Sequence, residues 1–313
     1  MSALREALRD YLELRRSLGY KLQDAGLQLP RFIDFLETRG ASHITTALAM
    51  EWAQQPTAVQ PAEWARRLGG VRGFARYRQA SDPLTEIPPL GLLPHRSTRA
   101  RPYLYSDEEV QRLLAATLKL PTNWHRTPLY PWKYHCLIGL LSTTGMRMSE
   151  ALDLQVPDVD LDQALLTIRG AKLGKIRCIP LHPSTRDVLA DYLRRRTEFF
   201  GAAVSSYVFV SSRGNRLDQA GLHRTFYDLS RSVGLRAAGA SRGPRLHDLR
   251  HRFAVKVLTA WYEAGQDAAR LLPVLSTYLG HVRVEDTYWY LSAWPELMSH
   301  AMARLERRWG ASS

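Results

Sequence analysis

A proline-rich segment about a third of the way along the chain most limits how the chain can fold. The segment DPLTEIPPLGLLPHRSTRARP (82–102) contains five prolines and has no sustained helical or strand period. Because proline lacks a backbone N–H and interrupts helices and inner strands, the segment predicts a connection between two separately folded parts. The length of 313 residues also favours two domains over one hydrophobic core.

The patterns on both sides of this segment are mainly helical. Apolar residues recur at helical spacing in about four stretches of residues 1–80, for example at Leu29, Phe32 and Leu36. After the segment, SDEE (106–109) is a capping-box pattern that predicts the start of another helix. ALLTIRGAKLGKIRCIPL (164–181) predicts two strands around a glycine-containing turn. The predicted class is therefore mainly α with a small β-hairpin or sheet, an α+β fold.

The chain is strongly basic, with 43 Lys and Arg against 30 Asp and Glu and a pI near 10. The resulting positive electrostatic field favours binding to polyanions, such as nucleic acid or an anionic membrane. Charge alone leaves open a basic protein without such a partner. The longest apolar runs, such as CLIGLL (136–141), are far too short to span a membrane. Cys136 and Cys178 lie in apolar surroundings and are interpreted as reduced core residues of a cytoplasmic protein.

Candidate DNA-binding arginines occur in two places. An acid-free stretch, 64–81, contains the first group, and the second lies in the proline-rich segment, where it could follow a phosphate backbone or serve only solubility. The two groups are Arg66, Arg67, Arg72, Arg76 and Arg78, and then Arg96, Arg99 and Arg101.

Three separate motifs carry the candidate chemistry: LLSTTGMRMSEALDLQVPDVDL (140–161), RLHDLRHRFA (245–254) and YLGHVRVEDTYWYL (278–291). On a helix, His247 and Arg250 share a face. His247 and His251 could instead bind zinc, but three arginines crowd the same turn and disfavour a divalent cation, so no metal site is predicted.

Taken together, the motifs resemble those of the tyrosine recombinases, the lambda-integrase-like family, over roughly 103–300. TGMRMSEALDL resembles the first arginine box, and GAKLGKIRCIPL resembles the hairpin that holds the catalytic lysine. HDLRH resembles the His-x-x-Arg box, and the nucleophile usually lies nine residues beyond the histidine of LGH. The resemblance implies the catalytic set Arg147, Lys172, His247, Arg250, His281 and Tyr290, with Glu150 as structural support and Lys175 and Arg245 as further DNA-binding residues.

The implied activity is metal-independent, cofactor-free and ATP-independent cutting and rejoining of DNA through a 3′-phosphotyrosine. Two guanidiniums suit the charge on the scissile phosphate, and a histidine and a lysine can move the two protons. The segment TYWYLS (287–292) is similar to the corresponding segment of family members encoded by mobile elements, so a role in integration, excision or transposition is expected. A type IB topoisomerase and a DNA-binding member without catalysis stay open as alternatives.

The resemblance also implies domains and partners. Residues 1–95 correspond to a helical core-binding domain, 96–105 to a basic linker and 106–313 to a catalytic domain with a C-terminal oligomerisation tail, which together clamp DNA. The expected partners are double-stranded DNA with inverted-repeat core sites and other copies of the chain, a dimer per site and a tetramer in the synapse. Partner recombinases stay open, and a cytoplasmic, nucleoid-associated location without membrane contact is expected.

Two tyrosines, Tyr288 and Tyr290, compete for the role of nucleophile. Residues two apart on a helix point about 200° away from each other, so both are not expected to serve one phosphate. The count from His281 selects Tyr290 and leaves Tyr288 as a packing residue.

Overall fold

The computed structural model describes residues 2–94, 102–122, 127–169, 176–201, 205–240 and 242–293. The chain divides into two compact units, Met1–Ala100 and Arg101–Ser313. Helices dominate the described residues, which also contain a three-stranded sheet. This architecture confirms the predicted α+β class. None of the described helices combines the length and the apolar character needed to cross a membrane.

The first unit contains the four helices that the periodicity predicts. Thr45 caps the third of them, since its hydroxyl accepts a hydrogen bond from the backbone N–H of Leu48 at 3.2 Å. Phe32 and Trp52 are fully buried in the core between the helices, with ring centroids 5.1 Å apart. The helices are α1 (Ala3–Ser17), α2 (Gln23–Thr38), α3 (Thr46–Gln54) and α4 (Pro61–Arg78).

The second unit is built around α6, which is buried on nearly all sides and packs against α5, α8 and α10. The sequence predicts a buried helix over about 133–143. The helix starts earlier, at Leu129, because Pro131 occupies the first turn, where no intrahelical N–H is needed. The predicted capping box of α5 is present: Ser106 and Glu109 each accept a hydrogen bond from the other's backbone N–H. The helices are α5 (Asp107–Leu118), α6 (Leu129–Thr144), α7 (Met148–Asp153), α8 (Pro183–Phe200), α9 (Gln219–Ser232), α10 (Leu246–Glu263), α11 (Ala268–Leu279) and α12 (Glu285–Ala293).

The sheet of the second unit is antiparallel, in the order β1 (Val159–Asp160), β2 (Leu165–Ile168) and β3 (Arg177–Pro180). The two predicted strands are β2 and β3, whereas β1 is too short to leave a sequence pattern. On β3, alternate residues face opposite sides, so Ile179 is buried and Cys178 is exposed. The interpretation of Cys178 as a core residue is therefore wrong, while Cys136 is buried as expected.

A separate apolar cluster joins α10, α11 and α12. Leu258, Leu272 and Leu279 belong to it, and so does Tyr290. The cluster packs α11 and α12 against the middle of α10, at Ala254, Val255 and Leu258, directly after the HDLRH motif. The motif residues therefore rest on packed helices.

Candidate active site

The first arginine box forms a tight corner between α6 and α7. Gly145 ends α6 with a φ of 61°, and a Cβ at this position would collide with the Phe253 ring. Glycine is required here both for the left-handed conformation and for the close approach of Phe253. Arg147 then occupies the N-cap of α7, and its backbone N–H and Nη1 donate to the carboxylate of Glu150 at 2.7 and 2.9 Å.

Arg250 lies in the second turn of α10 and is buried. Its Nη1 donates to the Gly145 carbonyl oxygen at 2.8 Å, and its Nη2 donates to the Leu279 carbonyl oxygen at 2.7 Å. Burial, followed by repulsion from the Arg147 guanidinium, lowers the pKa of Arg250 to about 10. The side chain therefore stays charged near pH 7 while bridging the ends of α6 and α11.

The last three carbonyls at the end of α11 each accept a hydrogen bond from a different arginine. Arg177 Nε donates to Tyr278 O at 2.7 Å, Arg250 Nη2 to Leu279 O at 2.7 Å and Arg147 Nη2 to Gly280 O at 2.6 Å. The final carbonyls of a helix lack intrahelical partners and carry the negative end of its dipole, so they favour cations. We call these three carbonyls the α11 carbonyl end.

Gly280 allows these arginines to approach. Its φ is 67°, and a Cβ there would lie 2.8 Å from Nη1 of Arg177 and 3.2 Å from Nη1 of Arg147. Any side chain would push at least one guanidinium away from the α11 carbonyl end. The glycine of the LGH motif is thus explained by space as well as by backbone conformation.

Arg177 at the start of β3 is a site residue that sequence reasoning missed. Its Nη1 and Nη2 donate to the two carboxylate oxygens of Glu150 at 2.9 and 2.8 Å. Burial would raise the pKa of Glu150, but hydrogen bonds from Arg177 and Arg147 outweigh it and hold the pKa below its usual value. A sequence signal existed, because Arg177 shares the inward face of β3 with Ile179, and a charge on such a face needs a buried partner.

His281 follows the α11 carbonyl end directly and is held by Thr287 on α12. Its Nδ1 lies 2.7 Å from the Thr287 hydroxyl, and Thr287 is fully buried. Burial, then the charges of Arg250 and Arg147, lower the pKa of His281 to about 4. The imidazole is therefore neutral near pH 7, with Nε2 as the nitrogen left for a ligand. Thr287 is a second residue that sequence reasoning missed.

His247 lies in the first turn of α10, close to Arg250. Desolvation by the surrounding protein and repulsion from Arg250 both lower its pKa. Part of the ring is exposed, so water offsets some of the desolvation, but the neighbouring cations act in the same direction. A neutral imidazole in this place can accept a proton near pH 7.

The structure places the two tyrosines on opposite sides of α12. Tyr290 is 2% exposed, and its ring centroid lies 5.4 Å from that of His251 and 6.3 Å from that of His281. It is also close enough to Arg250 to influence the pKa of that guanidinium. Tyr288, by contrast, is 49% exposed. Tyr290 is therefore the tyrosine that lies among the site residues.

Most of the predicted DNA-binding arginines on α4 contact their own unit. Arg67 stacks over the Trp52 ring at 3.9 Å and donates to the Trp52 carbonyl, and Arg72 donates to two proline carbonyls. Arg66 pairs with Asp24 and Glu63, Arg78 pairs with Asp82, and Arg76 is exposed.

In the second unit, Arg245 pairs with Asp248 at the start of α10. Several expected positions lie outside the described residues: Lys172 and Lys175, the linker arginines Arg96, Arg99 and Arg101, and the C-terminal tail. His247 and His251 have ring centroids 4.7 Å apart, and no group of three or more potential metal ligands occurs in the described part of the chain.

The sequence model of the phage integrase family matches residues 104–296, which contain every predicted catalytic residue from Arg147 to Tyr290. A protein of Sinorhizobium fredii named as an integrase/recombinase, y4rB, is 58% identical over 310 residues, which cover 99% of each chain. The chain belongs to the phage integrase family. It is a site-specific tyrosine recombinase, an enzyme that cuts and rejoins DNA. Neither alternative, a type IB topoisomerase or a member without catalysis, is supported by these matches.

Solved structures of the family share the fold. The integrase of transposon Tn1549, in complex with the right end of the transposon DNA, has a TM-score of 0.63 at 16% identity and covers 96% of this chain and 99% of its own. A lambda integrase tetramer bound to a Holliday junction has a TM-score of 0.58 at 18% identity and covers 90% of this chain and 77% of its own. The mainly helical fold with a small sheet is thus the fold of the integrases.

Proposed function

We propose that Tyr290 is the nucleophile of this recombinase. Its hydroxyl oxygen attacks the scissile phosphorus, the bond to the 5′-oxygen breaks, and a 3′-phosphotyrosine forms. The phosphoester bond is exchanged rather than hydrolysed, so a 5′-hydroxyl can reverse the step without ATP. The observation that carries this assignment is that Tyr290 is packed between His251 and His281 beside Arg250, whereas Tyr288 faces outward.

Arg147 and Arg250 neutralise the nonbridging oxygens of the phosphate. In the structure both guanidiniums converge on the α11 carbonyl end, which supports a shared target in front of it. In-line attack concentrates negative charge on those oxygens, and charges placed in advance usually contribute the largest catalytic effect. Arginine suits this role because its planar donors match two phosphate oxygens.

Two groups handle the protons. His247, neutral near pH 7, takes the proton of the Tyr290 phenol, whose ordinary pKa is about 10. Lys172, which lies between β2 and β3 in the sequence, gives a proton to the leaving 5′-oxygen. His281 donates a hydrogen bond to the phosphate through Nε2, because Thr287 occupies Nδ1.

The two units share the work on DNA. Met1–Ala100 serves as the core-binding domain and Arg101–Ser313 as the catalytic domain, joined by the basic linker, and together they clamp the duplex. Two copies bind the inverted repeats of one site, and four copies form the synapse, with the C-terminal tail docked between copies. The tetrameric lambda integrase and the DNA-bound Tn1549 integrase support this assembly and a role in moving a mobile element.

A trapped covalent complex tests the nucleophile. We would recover a binding site from a pool of random duplexes, nick it beside the cleavage position and incubate it with the protein. Wild type and Tyr288→Phe are expected to form the protein–DNA adduct, and Tyr290→Phe is expected to form none, because it lacks the attacking oxygen. The adduct is measured on a denaturing gel. An adduct that survives Tyr290→Phe would overturn the assignment.

A further inference from the structure

The Arg177 side chain makes its hydrogen bonds to groups inside the protein. It is only 10% exposed, both of its terminal nitrogens bond to Glu150, and its Nε bonds to the Tyr278 carbonyl. Three of its five N–H donors are therefore engaged inside the protein. Arg177 contacts the same two groups that bind the Arg147 side chain, the Glu150 carboxylate and the α11 carbonyl end.

The charges of this group explain why Arg177 matters. Glu150 is 8% exposed and bonds to both arginines, so Arg147, Arg177 and Glu150 together carry one net positive charge. Without Arg177, the buried carboxylate would pair with Arg147 alone and cancel its charge. The phosphate would then lose the field of one of its two guanidiniums, and the carboxylate would be only partly satisfied.

Arg177 also connects the hairpin to the arginines. It is the first residue of β3, five residues after Lys172 in the sequence, and its Nε donates to a carbonyl 101 residues further along the chain. In the β2–β3 pair, Arg177 lies opposite Ile168, and we call this last pair of the two strands the hairpin base. The same side chain therefore fixes the hairpin base, the end of α11 and Glu150 with respect to one another.

We propose that Arg177 is a positioning residue for DNA cleavage: it neutralises Glu150, so that the charge of Arg147 stays available to the phosphate, and it ties the β2–β3 hairpin to the α11 carbonyl end. The proposal rests on the assignment of Arg147 as a phosphate-binding residue. It assigns no contact between Arg177 and DNA.

Single-turnover cleavage by the full-length protein, with the nicked duplex recovered from the random pool, tests this role. Arg177→Met is expected to slow cleavage by about 100-fold at saturating DNA, because misplacing a reacting group costs about this much. The DNA affinity and its salt dependence are expected to stay unchanged, since Arg177 neutralises no phosphate. A loss of affinity with an unchanged cleavage rate would contradict the proposal.

A second substitution separates charge from general damage. Glu150→Gln added to Arg177→Met restores one net positive charge to the group, so the double variant is expected to cleave at least about tenfold faster than Arg177→Met. Arg177→Lys keeps the charge but cannot span both carboxylate oxygens and the Tyr278 carbonyl, so we expect cleavage about tenfold slower than wild type. Independent effects of Arg177→Met and Glu150→Gln, or a wild-type rate in Arg177→Lys, would overturn the proposal.

Arg252 is the matched control. Its side chain is also 10% exposed, pairs with a carboxylate, Asp107, and donates Nε to the carbonyl of Tyr105 at 3.0 Å. Arg252→Met is expected to lower Tm but to leave the cleavage rate of the folded protein unchanged. If wild type forms an adduct through Tyr290 and Arg177→Met cleaves at the wild-type rate, the inference fails and the proposed function stands. If wild type forms no adduct at all, the proposed function fails and the inference fails with it.

Discussion

The arginines of α4 and those around the α11 carbonyl end use similar partners for different purposes. On α4, Arg67 and Arg72 reach carbonyls 15 to 17 residues away, each holding its own neighbouring segment. At the α11 carbonyl end, Arg147 reaches across 133 residues and Arg177 across 101. The first set spreads along one helix, whereas the second converges from separate elements on three successive carbonyls. Convergence, rather than the number of arginines, distinguishes a site from a basic surface.

Gly280→Ala is expected to have the largest effect on cleavage, because it would displace the guanidiniums from the α11 carbonyl end. The added Cβ would meet Arg177 and Arg147, so we expect about a 100-fold loss of single-turnover cleavage. Gly265 is the control, since it has the same φ of 67° but no atom within 4 Å of an added Cβ. Gly265→Ala should therefore lose about 1–2 kcal/mol of stability and no cleavage rate. Equal cleavage losses in the two variants would show that backbone strain alone is responsible.

A smaller effect is expected from Thr287→Val, which keeps the shape but removes the hydroxyl that bonds to Nδ1 of His281. The imidazole loses its orientation, and we expect about fivefold slower cleavage, since one hydrogen bond contributes about 1 kcal/mol. The control is Thr277→Val on α11, where the exposed hydroxyl bonds only to the Pro273 carbonyl within its own helix. Unchanged cleavage in Thr287→Val would show that His281 needs no such support.

The smallest effect concerns the α4 arginines and DNA binding. Arg76 is exposed, so Arg76→Ala is expected to weaken binding and to reduce the slope of log K against log salt by about 0.9, the value for one phosphate contact. Arg67 is held on Trp52, so Arg67→Ala is expected to lower the stability of the first unit by about 1–2 kcal/mol and leave the slope unchanged. Titrations at several salt concentrations measure both. A changed slope in Arg67→Ala would place that guanidinium on the DNA.

Local patterns predicted what depends on neighbours in sequence. The four helices of the first unit, the Ser106 capping box and the β2–β3 pairing were all predicted, because helix periodicity, caps and turns act over a few residues. The start of α6 and the exposure of Cys178 were not, since they depend on what packs against each element. Arg177 was missed because its partners lie on other elements, and Thr287 because its bond to His281 depends on how the chain turns between α11 and α12.

The sequence by itself determined the family and the order of the motifs, and it predicted a catalytic set, since these follow from residue type and spacing. Only the tertiary structure decided that three arginines meet at one helix end, that Glu150 is shared between two of them, and that Thr287 holds His281. The physical reason is that unpaired carbonyls, buried charges and the absence of a Cβ at Gly280 act on whatever the fold brings within hydrogen-bond reach.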